Sequence, residues 1–230
     1  MAISPDRIVI IVGNYGSGKS EVSVNLALKE KKGGAEVNIV DLDLVNPYFR
    51  SREAEILLAS RGIKSTLPPR QYFHADLPIL DPAVAGAIKK PGGLLIIDAG
   101  GDDSGVTVLA SLNNVLKDKK IEMLMVVNPF RPMTRSVERC LKIKEEIENS
   151  SKLKVTGLIS NANLIGETTI EHIYEGYEFI KSVSSETGLP IEFITAESRF
   201  MPEIETSRFS CPVMPLNRRL VPPWLAPVDE

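Results

Sequence analysis

Eight residues near the start of the chain, Gly13-Asn14-Tyr15-Gly16-Ser17-Gly18-Lys19-Ser20, spell G-x-x-x-x-G-K-[ST]. No other feature restricts the possible folds so sharply. The pattern works only where a buried strand ends, the backbone wraps once, and a helix begins. Both flanks comply. Ile8-Val9-Ile10-Ile11-Val12 reads as a buried parallel strand, and Glu21 to Leu28 continues as a helix. Glycines let successive N–H groups turn inward toward an anion. The helix start adds unpaired N–H groups and the positive end of its dipole. Gly13, Asn14, Tyr15, Gly16, Ser17, Gly18, Lys19, Ser20 and Glu21 are therefore the expected nucleotide-binding stretch. Lys19 is expected to bridge the β- and γ-phosphates, and the Ser20 hydroxyl to hold Mg²⁺.

The remainder of the 230-residue chain supports one α/β domain over residues 1–230, with an extended Pro-rich tail from about 212 to 230. Strand candidates at 8–12, 37–42, 63–66, 94–97, 121–127, 155–160 and 191–195 alternate with helix candidates near 19–31, 50–61, 82–89, 105–118, 134–149, 168–187 and 198–206. Such alternation predicts a doubly wound, mostly parallel β-sheet flanked by helices in three layers. The sixth helix is the best defined. Ile170, Ile173, Tyr174, Tyr177 and Ile180 recur at helical spacing, and Gly188 with Pro190 stops the run.

A net charge of −3 argues against a general nucleic-acid-binding surface. No apolar run approaches the ~20 residues that span a bilayer. The first residues lead straight into a strand, so no secretory signal is expected. Cys140 and Cys211 have no metal-type spacing and fit a reducing cytosol. Cys140 shares a helical face with Val137, Leu141, Lys144 and Ile147, which makes it a packing residue. His74 and His172 are the only histidines, so imidazole catalysis has little support.

Carboxylates close two of the strands. The second runs into Asp41-Leu42-Asp43, whose alternation points both acids the same way if the strand holds its period. That edge is where open α/β sheets bind ligands. Asp43 is the candidate acceptor for a water beside the γ-phosphate, and Asp41 supports Mg²⁺ and its hydration shell. The fourth strand ends in Asp98-Ala99-Gly100-Gly101-Asp102. A hydrophobic strand closed by aspartate, downstream of a phosphate loop, makes Asp98 the Mg²⁺-linked residue. The following glycines free the backbone so that the Gly101 N–H can approach a γ-phosphate. Asp102 is a candidate acceptor near the attacking water.

Taken together, the loop, the Asp-x-Asp after the second strand and the Asp98-Ala99-Gly100-Gly101-Asp102 segment resemble the MinD/ParA/nitrogenase-iron-protein class of P-loop ATPases. The resemblance extends to Val126-Val127-Asn128-Pro129-Phe130-Arg131-Pro132 and to Gly157-Leu158-Ile159-Ser160-Asn161-Ala162-Asn163. It implies that Asn161 contacts the amino edge of adenine, that the loop after Thr195 closes over it, and that ATP with Mg²⁺ is the ligand of a homodimer. An Asn-Lys-x-Asp guanine-reading motif is absent from the sequence, which also favours ATP.

Two departures from the class matter. Its MinD and ParA relatives carry a second lysine just after the first loop glycine, where this chain has Asn14. An amide supplies no positive charge to offset the charge that builds on a transferring phosphoryl group. Arg50 and Arg52 are plausible substitutes, and Arg131 at the ligand edge is placed to touch phosphate or base. The second departure is that no cysteine follows Asp103, so a subunit-bridging iron–sulfur cluster is not expected. The leading expectation is a cytoplasmic Mg-ATP-dependent ATPase that acts as a switch on a protein client. The alternatives are an ATP-dependent ligase or kinase for a small molecule, and a nucleotide-binding module with negligible turnover.

Overall fold

The computed structural model describes residues 6–42, 54–66, 82–100 and 103–220. Eight strands among them form one parallel sheet: β1 (Arg7–Val12), β2 (Val37–Asp41), β3 (Lys64–Thr66), β4 (Leu94–Asp98), β5 (Ile121–Val127), β6 (Gly157–Ser160), β7 (Ile191–Glu197) and β8 (Val213–Leu216). Their spatial order is β3-β2-β4-β1-β5-β6-β7-β8. The connecting helices are α1 (Lys19–Lys32), α2 (Glu55–Ser60), α3 (Pro82–Lys89), α4 (Asp103–Ser111), α5 (Asn113–Leu116), α6 (Val137–Ser151) and α7 (Ile170–Thr187).

The two-residue period of each strand divides the core into two layers. In β1, Ile8, Ile10 and Val12 face one way, where they pack with residues of α3 to α7. Val9 and Ile11 face the other way, against Val22, Val24, Leu26 and Ala27 of α1 and Leu58 of α2. These five residues of β1 are essentially without solvent contact, each contributing about 2 kcal/mol of burial. This explains why the strands read as continuous apolar runs rather than as alternating ones. The fold is the three-layer α/β arrangement anticipated from the sequence.

The chain leaves β1 toward β2 and β3, returns to β4, and then crosses to β5. The strand order therefore reverses at β1, between β4 and β5, and a crevice opens there at the C-terminal ends of the strands. That is where the residues 13–20 lie.

Three local expectations change. The helix near 105–118 is two helices, α4 and α5, meeting at Leu112. The helix near 198–206 is replaced by 3-10 turns at Ser198–Phe200 and Thr206–Arg208. Pro202 lies between them and lacks the N–H that a continuing helix needs. The region read as a tail from about 212 begins with β8, paired in parallel with β7 from Ile194↔Val213 to Glu197↔Leu216. Pro215 is tolerated there because β8 is the edge strand of the sheet.

Candidate functional site

The loop between β1 and α1 is held from three sides. Gly13 has φ +145°, and a Cβ on it would collide with the Val126 carbonyl of β5. Gly18 has φ +90°, and a Cβ there would collide with the Asn161 side chain. Only glycine meets both demands, the left-handed backbone and the close approach. Within the loop, the Ser17 N–H donates to the Asn14 carbonyl at 3.1 Å. Helix α1 then starts at Lys19 with no side chain capping its N-terminus. A helix start that no side chain caps is where an anion site is built. The Lys19 ammonium folds back over the loop and donates to the Asn14 carbonyl at 3.1 Å. The buried Ser17 hydroxyl has no hydrogen-bond partner among the described residues.

Asn161, at the end of β6, braces this loop from below. Its Nδ2 donates to the Ser17 carbonyl at 2.7 Å, and its Oδ1 accepts from the Thr195 hydroxyl at 2.6 Å. The sequence resemblance assigned Asn161 to the base. In the structure it lines the crevice while its amide bonds the loop 13–20 and β7. Arg131 touches the loop from the β5 side, donating from Nε to the Gly16 carbonyl at 3.0 Å. Asn128, buried at the end of β5, donates to the Asn163 carbonyl and so ties the loops after β5 and β6 together.

Asp41 and Asp98 are partners in the register of β2 and β4, and both are buried. Residues paired in parallel register point to the same face. Ile39 and Ile96, two positions earlier, pack on the α1 side, so both carboxylates emerge beneath α1. The Ser23 hydroxyl donates to Asp98 Oδ1 at 3.3 Å, which ties that carboxylate to the N-terminal half of α1. Ser20 lies three residues before Ser23 on the same helix face. An all-oxygen set of one hydroxyl and adjacent carboxylates suits a hard divalent cation such as Mg²⁺. The residues fit that metal. Asp43, Gly101 and Asp102 lie outside the described residues, as do Arg50, Arg52 and His74.

A cavity of about 320 Å³ continues from the loop along the C-terminal ends of β6, β7 and β8. Tyr15, Gly16, Gly18, Lys19 and Ser20 form its loop end. Asn161, Asn163, Thr195, Glu197, Leu216, Arg218 and Leu220 form the other. Glu21, expected among the nucleotide-binding residues, borders the cavity with its carboxylate committed elsewhere. It accepts from the backbone N–H groups of Arg219 and Leu220 at 2.7 and 3.0 Å, and from Asn25 Nδ2 at 3.1 Å. Burial pushes its carboxyl above the ordinary glutamate value, and these donors and the Arg218 charge only partly offset that.

Sequence reasoning missed three supports of the site. Asn25 and Glu21 grip a segment almost two hundred residues away. Thr195 orients Asn161. Gly176 lets α7 approach so closely that a Cβ would collide with Ala162, next to Asn161. A glycine inside an otherwise amphipathic helix was the available signal.

No protein-family model matches this chain, and neither does any curated protein. Solved structures do share its fold. FtsY of Thermotoga maritima superposes with a TM-score of 0.59 at 22% identity, covering 85% of this chain and 63% of its own. Chloroplast FtsY of Physcomitrella patens gives 0.58 at 20% identity, covering 83% and 59%. The Signal Recognition Particle 54 kDa protein of Aeropyrum pernix K1, in complex with GDP, gives 0.56 at 16% identity, covering 83% and 41%. The chain thus spans about three fifths or less of the length of these proteins. Its architecture is the three-layer α/β P-loop fold that these structures share.

Proposed function

We propose that the chain binds a Mg²⁺–nucleoside triphosphate on the loop 13–20, that the nucleotide is ATP, and that the γ-phosphate acts as a switch on a protein client. The observation that carries this reading is the start of α1 without a side-chain cap behind a glycine loop, with Asp98 tied to the same helix by Ser23. Amides, an ammonium and oxygen ligands for a cation then converge on one crevice, as phosphoryl chemistry requires.

In this reading Lys19 leaves the Asn14 carbonyl for the β- and γ-phosphate oxygens, and the loop amides hold the rest of the anion. Ser20 and Asp98, with Asp41 and Asp43 beside them, would hold Mg²⁺, which supplies neutralising charge when bound. Asp43 and Asp102 are the acceptors for the attacking water, and the Gly101 N–H reads the γ-phosphate. Asn14 contributes no charge, so hydrolysis by the chain alone is slow. Arg131, already in contact with the loop at Gly16, is the described cation best placed to help.

ATP follows from the missing Asn-Lys-x-Asp motif and from the motif resemblance to MinD/ParA proteins, which also supports a nucleotide-dependent homodimer. The GDP bound to the Aeropyrum protein favours guanine instead. Two cysteines without a disulfide, Cys140 and Cys211, agree with a cytoplasmic site of action. No helix among the described residues is long and apolar enough to cross a membrane.

Calorimetry with Mg-ATP and Mg-GTP tests the reading. Wild type should bind ATP at least ~10-fold more tightly than GTP, a difference of about 1.4 kcal/mol, and Lys19→Ala should lose most of that affinity. Asp43→Asn should bind ATP but release phosphate more slowly than wild type. Tighter binding of GTP would overturn the base assignment, and undiminished affinity in Lys19→Ala would overturn the loop assignment. Light scattering with ADP and with a non-hydrolysable ATP analogue tests the dimer, which a single unchanged mass would refute.

A further inference from the structure

The crevice has a wall that neither the phosphate loop nor the sheet supplies. After β8 the chain runs back along α1, and four hydrogen bonds latch it there. Asn25 donates to the Asn217 carbonyl at 2.9 Å and accepts from the Asn217 N–H at 2.9 Å. One helical turn nearer the loop, Glu21 accepts from the N–H groups of Arg219 and Leu220. Glu21 directly follows Ser20, so the helix that carries the phosphate-binding amides also carries the latch. The latched segment places Arg218 and Leu220 on the cavity beside Leu216 of β8, in one lining with Asn161 and Thr195.

We propose that residues 217–220 form part of the nucleoside-binding half of the site, and that Arg218, held in place by Glu21 and Asn25, contacts the purine or ribose of the bound nucleotide. This rests on the reading of the loop as a triphosphate site. Three facts support it. The cavity extends past the loop for a volume that suits a nucleoside rather than phosphate alone. Its far end mixes apolar side chains, Leu216 and Leu220, with a guanidinium and amides, the usual lining of a small-molecule site. A guanidinium offers five donors to ring and hydroxyl acceptors and a flat face for a purine, and it loses less on ordering when its backbone is already fixed. The polar latch also explains why a carboxylate is retained against its burial cost at the third residue of α1. Without Glu21, two partly buried N–H groups would lose their acceptor.

The distinguishing probe is Mg-tripolyphosphate, which offers the loop its anion and the far wall nothing. Wild type should bind Mg-ATP more tightly than Mg-tripolyphosphate. Arg218→Ala should weaken ATP about 10-fold and leave tripolyphosphate within twofold. Glu21→Gln, which keeps the shape but loses an acceptor oxygen, should show the same selectivity to a smaller degree, and melting curves will report whether it remains folded. Lys19→Ala should weaken both ligands. Amide exchange at Arg219 and Leu220 should slow with ATP and not with tripolyphosphate. Equal losses for both ligands in Arg218→Ala, or no loss for either, would overturn the proposal while leaving the phosphate loop intact. Failure of wild type to bind tripolyphosphate, ATP and GTP alike would instead remove the loop reading and the proposal with it.

Discussion

Replacing Asn161 separates its roles as donor and acceptor. The side chain is 4% exposed, donates to the Ser17 carbonyl at 2.7 Å and accepts from the Thr195 hydroxyl at 2.6 Å. In Asn161→Ala the Ser17 carbonyl loses its buried donor, which costs about 1–3 kcal/mol. The Thr195 hydroxyl suffers less, because the Ser160 carbonyl lies 3.4 Å away as a second acceptor. The expected sum is about 2 kcal/mol, with a smaller part from the vacated space. Asn161→Asp keeps the acceptor for Thr195 but faces the Ser17 carbonyl with a second acceptor. Ionised, it should cost more than alanine, about 3–5 kcal/mol. Protonated, the new carboxyl regains a donor. Its folded pKa is therefore raised above the unfolded value, so the recovery is full below the unfolded pKa and is lost as pH rises through the folded one. Urea denaturation at about pH 8 and about pH 5, with each variant referred to wild type at the same pH, measures this. The aspartate variant should be the least stable at the higher pH and should overtake the alanine variant at the lower. If it matches wild type at the higher pH, or its deficit does not change with pH, Asn161 does not brace the loop as described.

Three further perturbations follow from the same geometry. Gly176→Ala gains up to ~1 kcal/mol of helix propensity but overpacks against Ala162, at a cost of about 1–3 kcal/mol. It should lower both the melting temperature and nucleotide affinity, and a rise in both would contradict the close approach. Cys140 is buried, and burial pushes its thiol up to about 12. It should resist iodoacetamide in the folded protein, the partly exposed Cys211 should react slowly, and both should label in urea, as mass spectrometry will show. Glu148 is opposed by burial but stays ionised more readily than its ordinary value of 4.5, because Lys154, Lys144 and the Val155 N–H hold the carboxylate. Its lowered folded pKa contributes stability above the unfolded value, which is lost as pH falls through the folded one. Glu148→Gln should accordingly cost about 1 kcal/mol at neutral pH and almost nothing at about pH 3 by urea denaturation.

The strands were legible because parallel strands buried on both faces read as apolar runs, and β1, β4 and β5 sit almost where those runs lie. The strand–loop–helix turn at 13–20 was legible because its motif requires glycine, lysine and serine at fixed spacing in a single segment. What escaped notice joins distant segments. Glu21 and Asn25 look like ordinary polar positions on α1, and only the fold brings Asn217 to Leu220 against them. At β8 a terminal strand was expected around Cys211 and Pro212 but the region from about 212 was otherwise read as a tail, because Pro212 and Pro215 disfavour a sheet interior, whereas an edge admits them. Asn161, singled out by the motif resemblance for a contact to the base, lines the cavity, but a motif does not say which protein neighbours its amide meets.

Amide NMR of the ¹⁵N-labelled chain, titrated with Mg-ATP, tests the central claim most directly. The N–H resonances of Gly16, Ser17, Gly18, Lys19 and Ser20 should shift saturably and together, while those of Lys119 and Lys120, ahead of β5 at the opposite edge of the sheet, stay in place. Saturable ATP binding that leaves the loop amides unmoved would show that the nucleotide is held elsewhere.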